Sequence, residues 1–327
     1  MDLGFILNQT TPTPHAAGVD STALAVNTSP GHFGEYASHP PARIPVDESE
    51  EGEAYILPND EAEMDRLDFC HALLVKTIGD RLYLAPIQRE RTRRILDIGT
   101  GTGIWAMQMA DLFPEAEIIG NDLSAIQPTG APSNVVFEID DVESEWVGEG
   151  FDFIFSRYMC GSIVDWPTYV RRVYENLKPG GWAEFQDWSF MIYSDDGSIE
   201  GTNLLRWVNL FMDACRVSGR DGQIGPKLER LVHDNTGLVN IQHRPFKIPA
   251  GPWAKDPYLK HIGMYELVQL LEGLEAFSLR LLCGSLGWTK EEVYALLAQV
   301  RKDLKNPSIH AWLYYNVVYG QKSSWDA

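Results

Sequence analysis

The chain has 327 residues, 44% of them hydrophobic and 11% aromatic, enough for one large domain or a domain with an elaborate cap, and too apolar for global disorder or a fibrous class. Acidic residues number 46 against 27 basic ones, a net charge of −19, which repels phosphate backbones and anionic lipid and disfavours a nucleic-acid or membrane-surface partner. Cys70, Cys160, Cys215 and Cys283 form no CxxC pair, so neither a metal site nor a disulfide scaffold is expected and a reducing compartment, the cytoplasm, suits the chain. No basic n-region opens it and no apolar run reaches ~18 residues, so neither a secretory signal nor a membrane span is expected.

Residues 1–45 are rich in Pro, Thr, Ser, Ala and Gly and show no period. They read as a flexible tail, since little apolar surface is there to offset the entropy of ordering. Residues 46–93 hold an acidic linker, Asp47-Glu48-Ser49-Glu50-Glu51-Gly52-Glu53, and then a helix. Asn59 or Asp60 can cap it, and Leu67, Cys70, Leu74 and Ile78 follow at helical spacing to about Thr77.

Across 94–200 the pattern alternates. Apolar runs Arg94–Ile98, Glu117–Gly120, Val135–Ile139, Phe151–Phe155 and Trp182–Asp187 read as strands, with helical patterns at Ile104–Phe113 and Tyr169–Leu177. Strands apolar on both faces, alternating with helices, make a doubly wound α/β class with a mostly parallel sheet. Lys178-Pro179-Gly180-Gly181 stops a helix. In 201–327 the spacing predicts helices at Leu204–Val217, Pro226–His233, Tyr258–Leu271 and Lys290–Leu304. Strands Val239–Ile248 and Ala311–Tyr319 suit an antiparallel pair that completes the sheet. The long helical excursion between them reads as a cap over the ligand edge, and its Trp253, Tyr258, Tyr265, Leu267, Leu270, Leu271 and Phe277 can enclose a pocket.

The most informative segment is Ile95-Leu96-Asp97-Ile98-Gly99-Thr100-Gly101-Thr102-Gly103-Ile104. A strand enters a glycine-rich turn and a helix follows. Gly99 and Gly101 let backbone approach a ligand, and Gly103 lets the helix pack on the strand. The spacing is not the Gly-x-Gly-x-x-Gly of dinucleotide sites. Asp97, two residues before the first glycine, opposes a pyrophosphate but tolerates a sulfonium or ammonium. That points to S-adenosyl-L-methionine. Asp122-Leu123 ends the second strand about 20 residues on, where a carboxylate can accept from both ribose hydroxyls. Asp140-Asp141-Val142 follows the third strand, where a side-chain acid can accept from an adenine amine, and Ser156-Arg157 ends the fourth. All fall at carboxyl ends of adjacent strands, where open α/β sheets bind ligands.

Leu96-Asp97-Ile98-Gly99-Thr100-Gly101-Thr102-Gly103 resembles the first motif of class I S-adenosylmethionine-dependent methyltransferases. Over about residues 53–320 the chain is more specifically similar to fungal methyltransferases of the LaeA type, grouped with the trans-aconitate-methyltransferase-like proteins. The carriers are Tyr55-Ile56-Leu57-Pro58-Asn59-Asp60-Glu61, Asp65-Arg66-Leu67-Asp68, Gly103-Ile104-Trp105-Ala106, Asp122-Leu123-Ser124-Ala125-Ile126-Gln127-Pro128 and Cys160-Gly161-Ser162-Ile163-Val164-Asp165-Trp166. The resemblance implies a Rossmann-like sheet of seven strands with the last antiparallel, and a cofactor lid from Tyr55 through the helix around Arg66. Thr100 stands where many relatives carry cysteine, a small exchange. Members either methylate small molecules in secondary metabolism or act as regulators with nuclear partners, and the pattern does not separate the two.

Methyl transfer asks the protein mainly to align donor and acceptor in a dry pocket, with a base only for a protonated acceptor. The expected acceptor is a small molecule methylated on oxygen, hydroxyl or carboxylate. His71 and Asp187 are the candidates for catalysis; His71 equally suits packing. Tyr158, Met159, Trp188, Trp253, His261 and Tyr265 are the candidates for the acceptor pocket. Arg66 and Arg157 can each hold a carboxylate or form an ion pair. Two other classes remain open. One is a regulator working through protein partners, with its tail as a contact and a nuclear location; the other is a cofactor-binding protein without methylating chemistry.

Overall fold

The computed structural model describes residues 61–146 and 150–324. The tail, the acidic linker and Tyr55 lie outside the described residues. Helix α1 (Glu61–Thr77) precedes β1 (Arg94–Ile98), α2 (Ile104–Leu112), β2 (Glu117–Asp122), β3 (Val135–Ile139) and β4 (Phe151–Arg157). Then come α3 (Trp166–Glu175), β5 (Leu177–Ser194), α4 (Asn203–Val217), α5 (Leu228–Asn235) and β6 (Val239–Pro249). Two helices, α6 (Pro257–Leu286) and α7 (Lys290–Leu304), lead to β7 (Ala311–Gln321).

The strands form one seven-stranded sheet in the order β3-β2-β1-β4-β5-β7-β6. β1 to β5 pair in parallel, and β7 runs antiparallel to both its neighbours. The antiparallel pair read at the C-terminal end is therefore present, with Ile248 opposite Leu313 and Phe246 opposite Tyr315. Burial on both faces explains the apolar β1, β2, β4 and β5, whereas β3, at the sheet edge, is buried only at Val135 and leaves Val136 and Ile139 exposed, against the sequence reading. One face packs against α2, where the Trp105 ring stacks on Phe155 at 3.9 Å. The other packs against Tyr169, Val170 and Val173 of α3 and Leu228 and Val232 of α5. A third core joins α1, α4, α6 and α7 as a helical cap.

Local chemistry sets the helix ends. Asp165 accepts from the Thr168 amide ahead of α3, Thr202 from Leu205 ahead of α4 and Asp256 from Leu259 ahead of α6. Thr289 and Glu292 make a reciprocal capping box at α7. Two elements differ from the sequence reading. α6 continues fifteen residues past Leu271 to Leu286 and ends only at Gly287, whose φ is 71°. Gly273 inside it looks like a breaker, yet the missing Cβ makes room for the Phe277 ring, which a Cβ would meet at 2.4 Å. β5 is longer too: it begins at Leu177 and runs through the Pro-Gly-Gly segment, where a register shift against Phe151 and Phe153 absorbs the irregular backbone.

Candidate active site

The carboxyl ends of β1, β2 and β4 and the loop after β3 open on a cavity of about 150 Å³. The glycine loop forms its floor. Gly99, Gly101 and Gly103 have φ of 65°, 56° and 79°, a region costly for residues with a Cβ. They serve different ends. A Cβ on Gly101 would meet only Leu67 Cδ1, at 3.9 Å, on the cavity side. A Cβ on Gly99 would strike Met159 Sδ at 2.5 Å, and one on Gly103 the Phe137 ring at 2.4 Å. Gly103 is thus a packing glycine under α2, outside the cavity wall.

Asp122 ends β2 facing the cavity. Its carboxylate accepts from the Gly101 amide at 2.9 Å and the Ser124 amide at 3.0 Å. Gln127 Nε2 donates to the Gly101 carbonyl at 2.7 Å. Thr102 donates to Asp68 of α1, which ties the helix over the loop, and Leu67 of α1 lines the cavity. Leu123, Asp140, Asp141 and Val142 line it as well, joined by Glu143, which the sequence reading passed over. Burial pushes the Asp122 carboxyl upward against its backbone donors. The cations on the wall are Arg157 and Arg220; Asp122, Asp140, Asp141 and Glu143 outnumber them, a balance that suits a sulfonium better than a pyrophosphate.

Several candidates lie beneath the wall rather than on it. Asp97 accepts from the Thr100 hydroxyl at 2.7 Å, both buried, and burial raises the Asp97 carboxyl to about 7. Together they brace the loop from below. Ser156 accepts from the Tyr169 hydroxyl at 2.7 Å and is likewise internal. Arg66 grips Glu63 with two donors and lies 4.9 Å from the Phe277 ring; its ion pair keeps it in the cap.

Neither residue read for catalysis is placed for it. Asp187 accepts from the Met159 and Trp188 amides, both at 2.9 Å, and latches the β4 turn to β5. His71 has both ring nitrogens engaged and lies outside the cavity walls, and burial with the adjacent Arg157 drives it down to about 3.

A second chamber, about 20 Å³, adjoins the first beneath the cap. Tyr158, Phe190, Phe211 and Phe277 line both. Tyr158 sits at the junction with φ 64° and stands edge-on to Trp188, which lines the inner chamber. Met159 stays on the larger cavity. The other aromatic candidates do not reach either space. Trp253 donates to the Ala311 carbonyl and packs edge-on against Trp312, clamping the start of β7. Tyr265 stacks on Phe69 at 5.0 Å and His261 packs on Tyr265, fastening α6 to α1. The cap does enclose a chamber, but through the inner faces of α4 and α6. Of the residues expected to line it from the helical excursion, Leu270 and Phe277 do so. Phe211, Glu266 and Gln269 were missed; the apolar period of α4 around Phe211 was the available signal.

A parallel sheet with one reversed strand, a glycine loop under a helix and an acid at the end of β2 define a nucleoside-binding α/β enzyme. Comparison with known proteins is consistent with that class. A family model described as a methyltransferase domain matches residues 71–250. The methyltransferase pytC of Aspergillus terreus is 46% identical over 272 residues, 82% of this chain and 83% of that one. The secondary metabolism regulator laeA of Monascus pilosus is 36% identical over 270 residues, 81% and 72% of the two chains. Among solved structures, Haemonchus contortus phosphoethanolamine N-methyltransferase 2 in complex with S-adenosyl-L-methionine is 20% identical with a TM-score of 0.45, covering 83% of this chain and 55% of that one. The chain belongs to the methyltransferase family and is an S-adenosylmethionine-dependent methyltransferase of the LaeA-like type.

Proposed function

We propose that the protein methylates a small, largely apolar molecule on oxygen, in fungal secondary metabolism. The single observation that carries this reading is the shared wall of Tyr158, Phe190, Phe211 and Phe277, which brings an aromatic chamber against the cavity at the strand ends. S-adenosylmethionine, when bound, supplies an electrophilic methyl on a sulfonium. The residues present fit that cofactor. Gly101 leaves room where a side chain would stand. Asp122 would hold the ribose hydroxyls, Asp141 and Val142 the adenine and Arg157 the carboxylate of that cofactor. The cap residues exclude water and hold the acceptor against the junction.

The kinship with pytC, named a methyltransferase and not a regulator, supports the reading as an enzyme. A second reading, a regulator that acts on proteins, is favoured by the relatives named laeA, one of them the protein-methionine methyltransferase laeA of Emericella nidulans. Incubating the protein with methyl-labelled S-adenosylmethionine and a metabolite extract, followed by mass spectrometry, separates the two. Label on a metabolite is the expected outcome. Label confined to this or another protein overturns it.

A further inference from the structure

Although the inner chamber is walled largely by aromatic rings, α6 turns two polar side chains into it, Glu266 and Gln269. They lie one turn apart and are 1% and 3% exposed. Gln269 Nε2 donates to the Tyr158 hydroxyl at 3.2 Å, at the junction of the two spaces. Gln269 Oε1 and Glu266 Oε2 have no hydrogen-bond partner among the described residues. Buried polar atoms left in this way are unfavourable, and an apolar pair of the same shape is the more stable filling. Glu63 meets the Arg66 guanidinium with both carboxylate oxygens, through Nε and Nη2, and neither Arg66 Nη1 nor Glu266 Oε2 has a hydrogen-bond partner among the described residues. Two unpaired acceptors side by side, in a space that admits a group about the size of a water, are complementary to a small hydrogen-bond donor. The rings around them require the rest of the ligand to be apolar. Burial also pushes the Glu266 carboxyl well above its ordinary range, with Arg66 opposing.

We propose that Glu266 and Gln269 form an acceptor subsite that takes the hydroxyl or amino group of a molecule whose apolar body lies across the Tyr158 junction, against the rings shared with the larger cavity, and so select which molecules are methylated. This rests on the reading of the capped chamber as the acceptor site.

The test uses the full chain saturated with S-adenosylhomocysteine and three probes of one shape: 4-ethylphenol, 4-ethylaniline and ethylbenzene. Methyl resonances of Ile192, Leu204 and Leu313, which line the chamber, report binding there by NMR. The phenol or the aniline should bind at least about tenfold more tightly than ethylbenzene, the scale of one buried hydrogen bond. In Glu266→Leu and Gln269→Leu that preference should fall below about threefold, with ethylbenzene binding and S-adenosylhomocysteine affinity retained and the melting temperature not lowered. Equal binding of all three probes to the unaltered protein overturns the subsite while leaving the chamber as acceptor site, and needs no variant. A preference that survives both substitutions overturns it too. Failure of every probe to move the chamber resonances overturns the acceptor site itself, and the subsite with it.

Discussion

Arg157 Nη2 donates to His71 Nδ1 at 2.9 Å, and the opposite ring nitrogen of His71 donates to Gln108 Oε1 at 2.9 Å. The guanidinium keeps its charge, so the imidazole must accept and stay neutral. A histidine that the sequence offers as a base is instead the prop behind a cation on the cavity wall. Its pKa follows from that position. Burial and Arg157 lower it from 6.5 to about 3. The unfolded chain therefore binds the extra proton between those values, and the contribution of His71 to stability is complete above pH 6.5 and lost as pH falls. Between pH 6.5 and 4.5 the loss is roughly 2 kcal/mol. Asp97, Glu184 and Asp187, raised to about 7 by burial, act in the opposite sense. Their contribution is present below their unfolded values and lost as pH rises through 7. His71→Gln keeps an acceptor for Arg157 without titrating. Denaturant melts of that variant should fall by about 2 kcal/mol less than the parent between pH 6.5 and 4.5. An unchanged difference would mean that His71 is not held neutral.

Asp122 holds the glycine loop through two backbone amides while facing the cavity. Asp122→Ala removes the loop anchor and the carboxylate proposed for the ribose. Affinity for S-adenosylmethionine should drop by ~2–3 kcal/mol, the scale of a lost charge-assisted pair. Calorimetry giving the parental constant would remove Asp122 from the cofactor site.

The glycines of the loop should separate stability from binding. Gly103→Ala sets a Cβ 2.4 Å from the Phe137 ring in a backbone at φ 79°. It should lower stability by about 2–4 kcal/mol through overpacking and the left-handed strain. Gly101→Ala carries the strain but meets open space toward the cavity, so its stability loss stays near ~1 kcal/mol. Its larger effect is expected on cofactor affinity. Thermal melts and calorimetry on both variants check the split, and identical profiles would contradict it.

How far the sequence revealed the site varies with the range of the interactions. The loop from Asp97 to Gly103 and the acid at Asp122 were legible because a strand, a tight turn and a helix start impose local rules on residue type. So was the reversed pair β6–β7, with β7 the apolar run of the two. The cap was not. α6 is buried between α1, α4 and α7, so its apolar positions run around the helix and no single stripe marks the chamber. Tyr265 and Glu266 are adjacent in the chain and both buried, yet one stacks on Phe69 and the other faces the chamber. Only packing distinguishes them. Trp253 has the composition of a pocket residue and the contacts of a clamp.

That distinction gives the last prediction. Phe211 lines both cavities and meets Phe190 edge-on at 5.0 Å. Phe211→Leu keeps an apolar side chain, so stability should change by no more than about 1.5 kcal/mol. The surface that holds an acceptor changes shape, however, and a misplacement of about 1 Å can cost some 100-fold in rate. Label transfer from S-adenosylmethionine to the acceptor should slow at least tenfold, a barrier change of about 1.4 kcal/mol, with cofactor affinity within about twofold of the parent. Trp253→Ala should behave in the reverse way. It loses the hydrogen bond to Ala311 and the contact with Trp312, so the melting temperature should fall while the rate at a permissive temperature stays near the parent's. The two measurements together locate the acceptor. Slow transfer in Trp253→Ala with normal transfer in Phe211→Leu would move the acceptor out of the inner chamber and toward the start of β7.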